Sequence, residues 1–469
     1  MRSVAPASLH RDGSPMGMTR TTRLIPGHRV QYSSGSLLFP PAINPHLEFL
    51  LRSRLPNGKQ VELLYRPHIS ELRWADTGKR LSLKPVGLDY DLDPNRKWPI
   101  AHAISPDNPG RKRLPIRALK IQMGLKCNYR CSYCNQTARP EDSHGNPDLA
   151  RKFLAEMPSW FVPPPENEEL RIEFWGGEPF VYWKTMRLLG DELRARYPRA
   201  LFSVVTNGSI LDDEKIEWLL RNKVMVTISH DGPRQIDNRG QDPFDDPQLA
   251  AAIRKLYTAM RPLGLVNFNC VLAKNNMSFA AIISHIAERL GCRSEELPLA
   301  TEELVLPYEE TGMGLSLHSA AEIRSFRHAF GKELSASSAL GTLNIREKLQ
   351  DFYLSLAKGR PSKALVQRCG MDREDTLAVD LKNNVLTCQN TAATDRHLVG
   401  NVSDLGMVRL DTVRHWLKRE ECRRCPVIQL CKGGCMRLEG ERWQQACQNS
   451  YIYNIVLLRA AVRVLLGTA

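Results

Sequence analysis

No stretch of this 469-residue chain approaches the roughly 20 consecutive apolar residues that a membrane-spanning helix needs, so no membrane is expected as a partner. The first 30 residues carry Arg2, Arg11, Arg20, Arg23 and Arg29 but no apolar segment, which argues against a secretory signal. A cytoplasmic location is the expectation that remains. In that reducing compartment a framework of structural disulfides is excluded as the use of its 12 cysteines, and metal binding or catalysis is the better reading. Also missing is any base-stacking or groove-reading motif to accompany the net charge of +14, so nucleic acid is not expected as a partner. The charge is spread along the chain in short clusters such as Arg111-Lys112-Arg113 and Lys418-Arg419. It reads as a solvated basic surface, or as a landing surface for an acidic partner.

Residues 1–45 mix Ser, Pro, Gly and Arg without periodicity, and a disordered start is expected there. Over 46–115, short apolar stretches (Val61–Tyr65, Leu81–Leu83) lie between turn signals such as Pro56-Asn57-Gly58, predicting a small N-terminal β-containing module. The stretch Ser105-Pro106-Asp107-Asn108-Pro109-Gly110 reads as a linker. Strands are then predicted at 117–124, 170–175, 201–206, 223–229, 265–272 and 302–307. Amphipathic helices fall at 147–157, 182–196, 211–222, 247–261, 276–290 and 318–334, with Asn276 as the cap of the fifth. Six β–α units predict an α/β fold, a partial (β/α)6 barrel of the TIM type over 116–335. The rest, 336–469, is a cysteine-rich region ending in a helix that carries Ile452, Ile455, Val456, Leu458, Val462 and Leu465 and is expected to pack in the core.

The cysteines are grouped. Cys127, Cys131 and Cys134 follow the first barrel strand, seven more lie between Cys369 and Cys447, and only Cys270 and Cys292 stand alone, as buried small apolar residues. A loop at a strand's C-terminal end is where barrels place chemistry. Three thiolates there can hold three irons of a four-iron cluster and leave the fourth without a protein ligand. A structural zinc site would close with a fourth Cys or His at short range. The quartet Cys422-x2-Cys425-x5-Cys431-x3-Cys435, taken alone, suits zinc and iron–sulfur equally.

The cysteine loop, with Tyr133 before its last cysteine, resembles the cluster-binding loop of radical SAM enzymes. Trp175-Gly176-Gly177-Glu178-Pro179, Thr206-Asn207-Gly208 and Ser229-His230-Asp231-Gly232-Pro233 follow at successive strand ends, similar to motifs of that family's peptide-modifying branch. The resemblance implies that the open iron chelates the amino and carboxylate groups of S-adenosylmethionine, whose reductive cleavage yields a 5′-deoxyadenosyl radical. It implies that Gly176, Gly177 and Glu178 flank the methionyl end, and that Ser229 and, less directly, Arg239 are candidates for its carboxylate. Cys369, Cys388, the quartet and Cys447 resemble the SPASM extension. Asn383 stands where that pattern has glycine, and Asn tolerates the positive φ such a turn needs. The extension implies two auxiliary [4Fe-4S] clusters, one on Cys369, Cys388 and Cys435, the other on Cys422, Cys425, Cys431 and Cys447. The first lacks a fourth cysteine, and Asp372, Asp375, water or a substrate atom are its candidate ligands.

The function so implied is an oxidoreductase that matures a ribosomally made peptide or protein (RiPP-type crosslink, thioether or oxidation), served by a flavodoxin- or ferredoxin-type reductant. The N-terminal module could hold a leader peptide. Sulfatase-maturing relatives carry an aspartate as base directly after the second SPASM cysteine; Gln389 follows Cys388 here, and an amide is no base, which disfavours formylglycine formation. The rival readings are a radical SAM dehydrogenase of a small molecule and, from another class, a zinc-binding nucleic-acid-binding protein. No catalytic acid or base is named by the sequence.

Overall fold

The computed structural model describes residues 22–24, 28–30, 48–136, 145–308, 310–336, 340–394 and 396–468. The expectation of a disordered start lies outside these residues, apart from a short antiparallel pair, Thr22–Leu24 with His28–Val30.

Strands β1 (Phe49–Arg54), β2 (Gln60–Arg66) and β3 (Glu71–Trp74) form an antiparallel sheet in that order. The turn signal Pro56-Asn57-Gly58 joins β1 to β2, with Gly58 at φ +81°. Alternation along β2 buries Leu63 and Tyr65 on one face. That face joins the main core of the molecule, where Tyr65 meets Phe352 edge-on at 6.0 Å between ring centroids.

The second sheet has nine strands. Six run parallel in chain order: β4 (Ala118–Gln122), β5 (Arg171–Trp175), β6 (Leu201–Thr206), β7 (Met225–Ser229), β8 (Val266–Leu272) and β9 (Leu299–Leu304). Helices α1 (Pro147–Glu156), α2 (Trp183–Arg196), α3 (Asp213–Arg221), α4 (Pro247–Met260) and α5 (Phe279–Leu290) connect them. This is the partial barrel. Their starts are written in the sequence: Asn146, Asp212, Asp246 and Ser278 each accept backbone N–H groups of the first turn. The period of two along each strand separates the faces. Ile121, Ile172, Phe174, Phe202, Val204 and Ile228 are buried in one core with the helices. Lys120, Glu173, Trp175, Ser203, Thr227, Ser229 and Asn269 alternate with them and stay half-buried, giving the barrel a polar inner wall.

Several expectations are corrected. The last barrel strand lies at Leu299–Leu304, earlier than 302–307, and Glu303 within it takes φ +72° where its pairing with β8 shifts register. The cap of α5 is Ser278; Asn276 instead donates to the Asp231 carbonyl at 2.9 Å. The cysteine-rich region, expected only to end in a helix, also carries strands. After α6 (Ala320–Ser335) comes α7 (Leu343–Lys358), and then β10 (Thr376–Asp380) adds a seventh parallel strand beside β4. The antiparallel strands β11 (Asn384–Leu386) and β12 (Leu398–Asn401) extend the sheet, with Asn383 in the turn at φ +64°, the conformation Asn was expected to tolerate. Lys112, read as part of a solvated basic surface, is buried: its ammonium donates to the Met371 and Arg373 carbonyls at 2.8 and 2.9 Å. Cys270 is buried as expected, whereas Cys292 is half-buried. The terminal helix α8 (Gly440–Leu465) packs its apolar face into the core, and no helix among the described residues is long and apolar enough to cross a membrane.

The buried Tyr65 hydroxyl has no hydrogen-bond partner. Tyr65→Phe is therefore expected to leave thermal stability unchanged or slightly raised, while Tyr65→Ala, which empties the space against Phe352, should cost about 3–5 kcal/mol in denaturant unfolding.

Candidate active site

The loop bearing Cys127, Cys131 and Cys134 leaves the C-terminal end of β4 and is gripped by the ends of the next three strands. At the end of β5, the N–H groups of Gly177 and Glu178 donate to the carbonyls of Gly124 and Lys126, both at 3.0 Å. The two glycines are needed there: a Cβ on Gly177 would stand 2.4 Å from the Lys126 carbonyl oxygen, and one on Gly176 would stand 2.9 Å from that of Gly124. Tyr182, one turn further on, accepts the Lys126 N–H at 2.8 Å.

At the end of β6, the buried Glu178 carboxylate accepts from the Thr206 hydroxyl at 2.8 Å and from the N–H groups of Asn207 and Phe180 at 2.7 and 3.1 Å. Burial pushes its pKa up to about 7, against the pull of those donors. Asn207 then reaches the cysteine loop, donating to Asn128 Oδ1 at 2.9 Å.

At the end of β7 the grip is a charge. Asp231, fully buried, accepts from Val271 N–H at 3.0 Å, pairs with Arg239 at 3.2 Å and takes a hydrogen bond from the Tyr133 hydroxyl. Arg239 lies over the Tyr133 ring, 5.4 Å from its centroid, and Ser132 N–H donates to the Asn238 carbonyl at 2.9 Å. Burial raises the pKa of the Cys131 thiol, and Arg239 opposes the shift. Ser229 sits half-buried on the inner wall.

The C-terminal region reaches the same loop. Gln136 donates to the Gly176 carbonyl at 2.8 Å and to Asn390 Oδ1 at 3.1 Å, and Trp175 donates to Asn390 at 2.8 Å. Gln122 bonds the carbonyls of Gln389 and Thr391, so the chain around Cys388 is fixed to the barrel. Arg437 donates to the Asn135 carbonyl at 2.6 Å and lies over the Tyr308 ring at 4.6 Å.

Cys422, Cys425, Cys431 and Cys447 line a single small pocket, with Val427, Ile428, Trp443 and Ala446 among its other walls. Burial first, and then the charges of the other three, push the Cys422 thiol well above the usual range. Four thiolates in such a place need a positive centre among them, so the donor set fits a metal cluster. Cys369 is pushed up to about 12 by the protein packed around it, and then by the charges of Cys435, Asp372 and Cys388, although part of it stays solvent-accessible. Tetrahedral zinc, with Zn–S near 2.3 Å, would hold its sulfurs about 3.8 Å apart. Among the described residues the one group of three ligand atoms within 4.8 Å is His230, Asp242 and His285, so the cysteines stand at a wider spacing. That His–Asp–His group already carries a cation, the Arg289 guanidinium at 3.6 Å from Asp242.

Sequence reasoning named the motifs but missed what joins them: Asp231, Asn207, Gln136 and Asn390. The signal for Asp231 was available, as the acidic residue of a strand-end Ser-x-Asp-Gly-Pro turn. Asn390 carried none, because its partners are far away in the chain.

No family model matches the chain. It is 24% identical over 365 residues to a cysteine-type anaerobic sulfatase-maturating enzyme of Clostridium perfringens, covering 72% of this chain and 93% of the relative. It is 25% identical over 177 residues to the radical SAM cyclopropyl synthase TigE of Paramaledivibacter caminithermalis, covering 35% of this chain and 37% of that protein. The solved structure of native anSMEcpe with bound AdoMet and Kp18Cys peptide superposes with a TM-score of 0.52 at 20% identity, over 74% of this chain and 99% of that one, and so shares the fold.

Because the folded-state pKa of Glu178 is raised, its contribution is greatest below about 4.5 and is lost as pH rises through about 7. Glu178→Gln should flatten that segment of the stability–pH curve relative to the parent. Asp231→Asn leaves Arg239 buried without its counter-ion and should cost about 3–5 kcal/mol. Denaturant unfolding reads the loss, and iron analysis should show the first cysteine loop depleted before the C-terminal sites.

Proposed function

Because the chain is a radical SAM enzyme with a SPASM-type C-terminal region, we propose that it matures a ribosomally made peptide or protein by crosslinking, thioether formation or a related oxidation of a side chain. The observation that carries this reading is the grip of three successive strand ends on a three-thiol loop, at the edge of an inner wall left polar and half-open. S-adenosylmethionine on a four-iron cluster supplies, when bound and reduced, hydrogen-abstracting radical chemistry.

The chain's own residues hold, orient and shield. Cys127, Cys131 and Cys134 hold the cluster, and Gly176, Gly177 and Glu178 form the ledge for the methionyl end. Ser229 faces the same space from the inner wall. Arg239, though committed to Asp231, keeps a buried Nε–H with no acceptor, which suits a carboxylate. Cys422, Cys425, Cys431 and Cys447 hold one auxiliary cluster; Cys369, Cys388 and Cys435 hold another. A flavodoxin- or ferredoxin-type protein delivers electrons. The N-terminal sheet, whose apolar face is spent on packing against α7 and α8, walls the C-terminal region, and leader-peptide binding would have to use its remaining surface.

A second reading, sulfatase maturation, is favoured by the coverage of the Clostridium relative. It requires a base beside Cys388, where this chain has Gln389, half-buried and with an unpartnered amide oxygen. The peptide reading needs no base at that position.

Anaerobically reconstituted enzyme with reductant should convert S-adenosylmethionine to 5′-deoxyadenosine, and the Cys127→Ala, Cys131→Ala, Cys134→Ala triple variant should not. Mass spectrometry of a peptide encoded beside the enzyme should show a mass change matched to 5′-deoxyadenosine release. Consumption of a metabolite with no peptide change would replace the peptide by a small molecule, and cleavage by the triple variant would overturn the site itself.

A further inference from the structure

The auxiliary group on Cys369, Cys388 and Cys435 has three thiols where a four-iron cluster takes four protein ligands when closed. Three carboxylates follow Cys369 closely, and their surroundings differ: Glu374 is partly exposed and pairs with Arg113 at 3.4 Å. Asp375 is spent: Arg373 holds both of its oxygens at 2.9 and 2.7 Å, and Arg117 adds a third contact at 3.3 Å. Asp372 is buried, with 2% of its side chain exposed. Its Oδ2 accepts the Gln367 N–H at 2.8 Å and faces His415 Nε2 at 3.3 Å. Its Oδ1 is enclosed and has no donor at all. A buried carboxylate oxygen without a partner is costly, and such an atom beside a ligand set calls for a positive partner.

Its neighbourhood supplies the set. Met371 and Met436 share one small buried cluster with Cys388 packed against it, which brings their chain neighbours Asp372 and Cys435 to the same locality, and Cys369 lies three residues before Asp372. The turn that carries Asp372 is also held from behind. The buried Lys112 ammonium donates to the carbonyls of Met371 and Arg373, the residues on either side of it. Lys112 thereby fixes the carboxylate's position, and its positive charge offsets an anionic ligand set.

We propose that Asp372 Oδ1 is the fourth protein ligand of the auxiliary cluster on Cys369, Cys388 and Cys435. Carboxylate oxygen is a hard donor but binds iron well, and a cluster closed in this way has no iron free for a substrate atom. It can only pass electrons. The inference rests on the reading that those three cysteines hold a cluster.

The test uses the full chain in the Cys127→Ala, Cys131→Ala, Cys134→Ala background, which removes the first cluster and leaves the auxiliary ones. Iron and sulfide analysis of this parent should give about eight irons per chain, from two four-iron clusters. Reduced with dithionite and treated with 13C-cyanide, a small ligand for an open iron, the parent should show no 13C coupling in its electron–nuclear double resonance spectrum. Asp372→Ala should acquire such a coupling on one cluster. Asp372→Cys should restore both the iron content and the refusal of cyanide. Cyanide coupling already present in the parent overturns the proposal, as does an Asp372→Ala protein that keeps its iron and still refuses cyanide. If Asp372→Ala loses four irons outright, Asp372→Cys decides: full iron without coupling supports ligation, and the same loss shows a merely structural carboxylate and overturns it. A parent with far fewer than eight irons would instead overturn the two-cluster reading beneath it.

Discussion

The buried carboxylate of Asp231 is the constraint on which the site depends. A loop carrying three thiols within eight residues has no regular structure of its own and would sample many arrangements. Here it is tied to a strand end by one charge that receives the Tyr133 hydroxyl, the Arg239 guanidinium and the Val271 N–H together. Because Asp231 has no contact with water, each of those donors is irreplaceable by solvent, and the loop has one low-energy position. The other grips, Gly177 on Gly124 and Asn207 on Asn128, are neutral and fix the loop's remaining ends. The motifs at strand ends are thus also a mechanical frame for the thiols.

The C-terminal region belongs to the same frame. Its strand β10 pairs with β4, the strand that launches the cysteine loop, and Asn390 takes hydrogen bonds from both Trp175 and Gln136. Any electron passing between the sites crosses a distance set by covalent chain and sheet hydrogen bonds. The N-terminal sheet completes the enclosure from outside, with the Tyr65 ring in the core against α7. A chain that handled radicals would need such rigidity, since loose geometry opens side reactions.

Charge is used in the interior as well as on the surface. Lys112 is buried and Lys348 largely so; Lys112 is held by two carbonyls, and Lys348 is held by the Glu303 carboxylate, the Leu430 carbonyl and Asn454 Oδ1. Burial lowers the pKa of both, to about 8 for Lys112. Neither stands out in the sequence, where Lys112 looks like one of three exposed basic residues in a row.

The sequence by itself determined the order of the barrel units, the starts of the connecting helices other than α5 to within two residues, and the cysteine groups, because each is local. A period of two or 3.6, an Asn, Asp or Ser before a helix, and a spacing of thiols are fixed by a few neighbouring residues. The turn at Asn383 was legible for the same reason. What only the tertiary structure decided is which distant residues meet. That β10 would extend the barrel sheet, that Glu178 would face Thr206 and not solvent, that Asp372 would be buried facing His415 and that Asp375 would pair with Arg117 all depend on burial and on partners tens to hundreds of residues away. No local pattern encodes such a meeting, since its free energy exists only once both sides have lost their water.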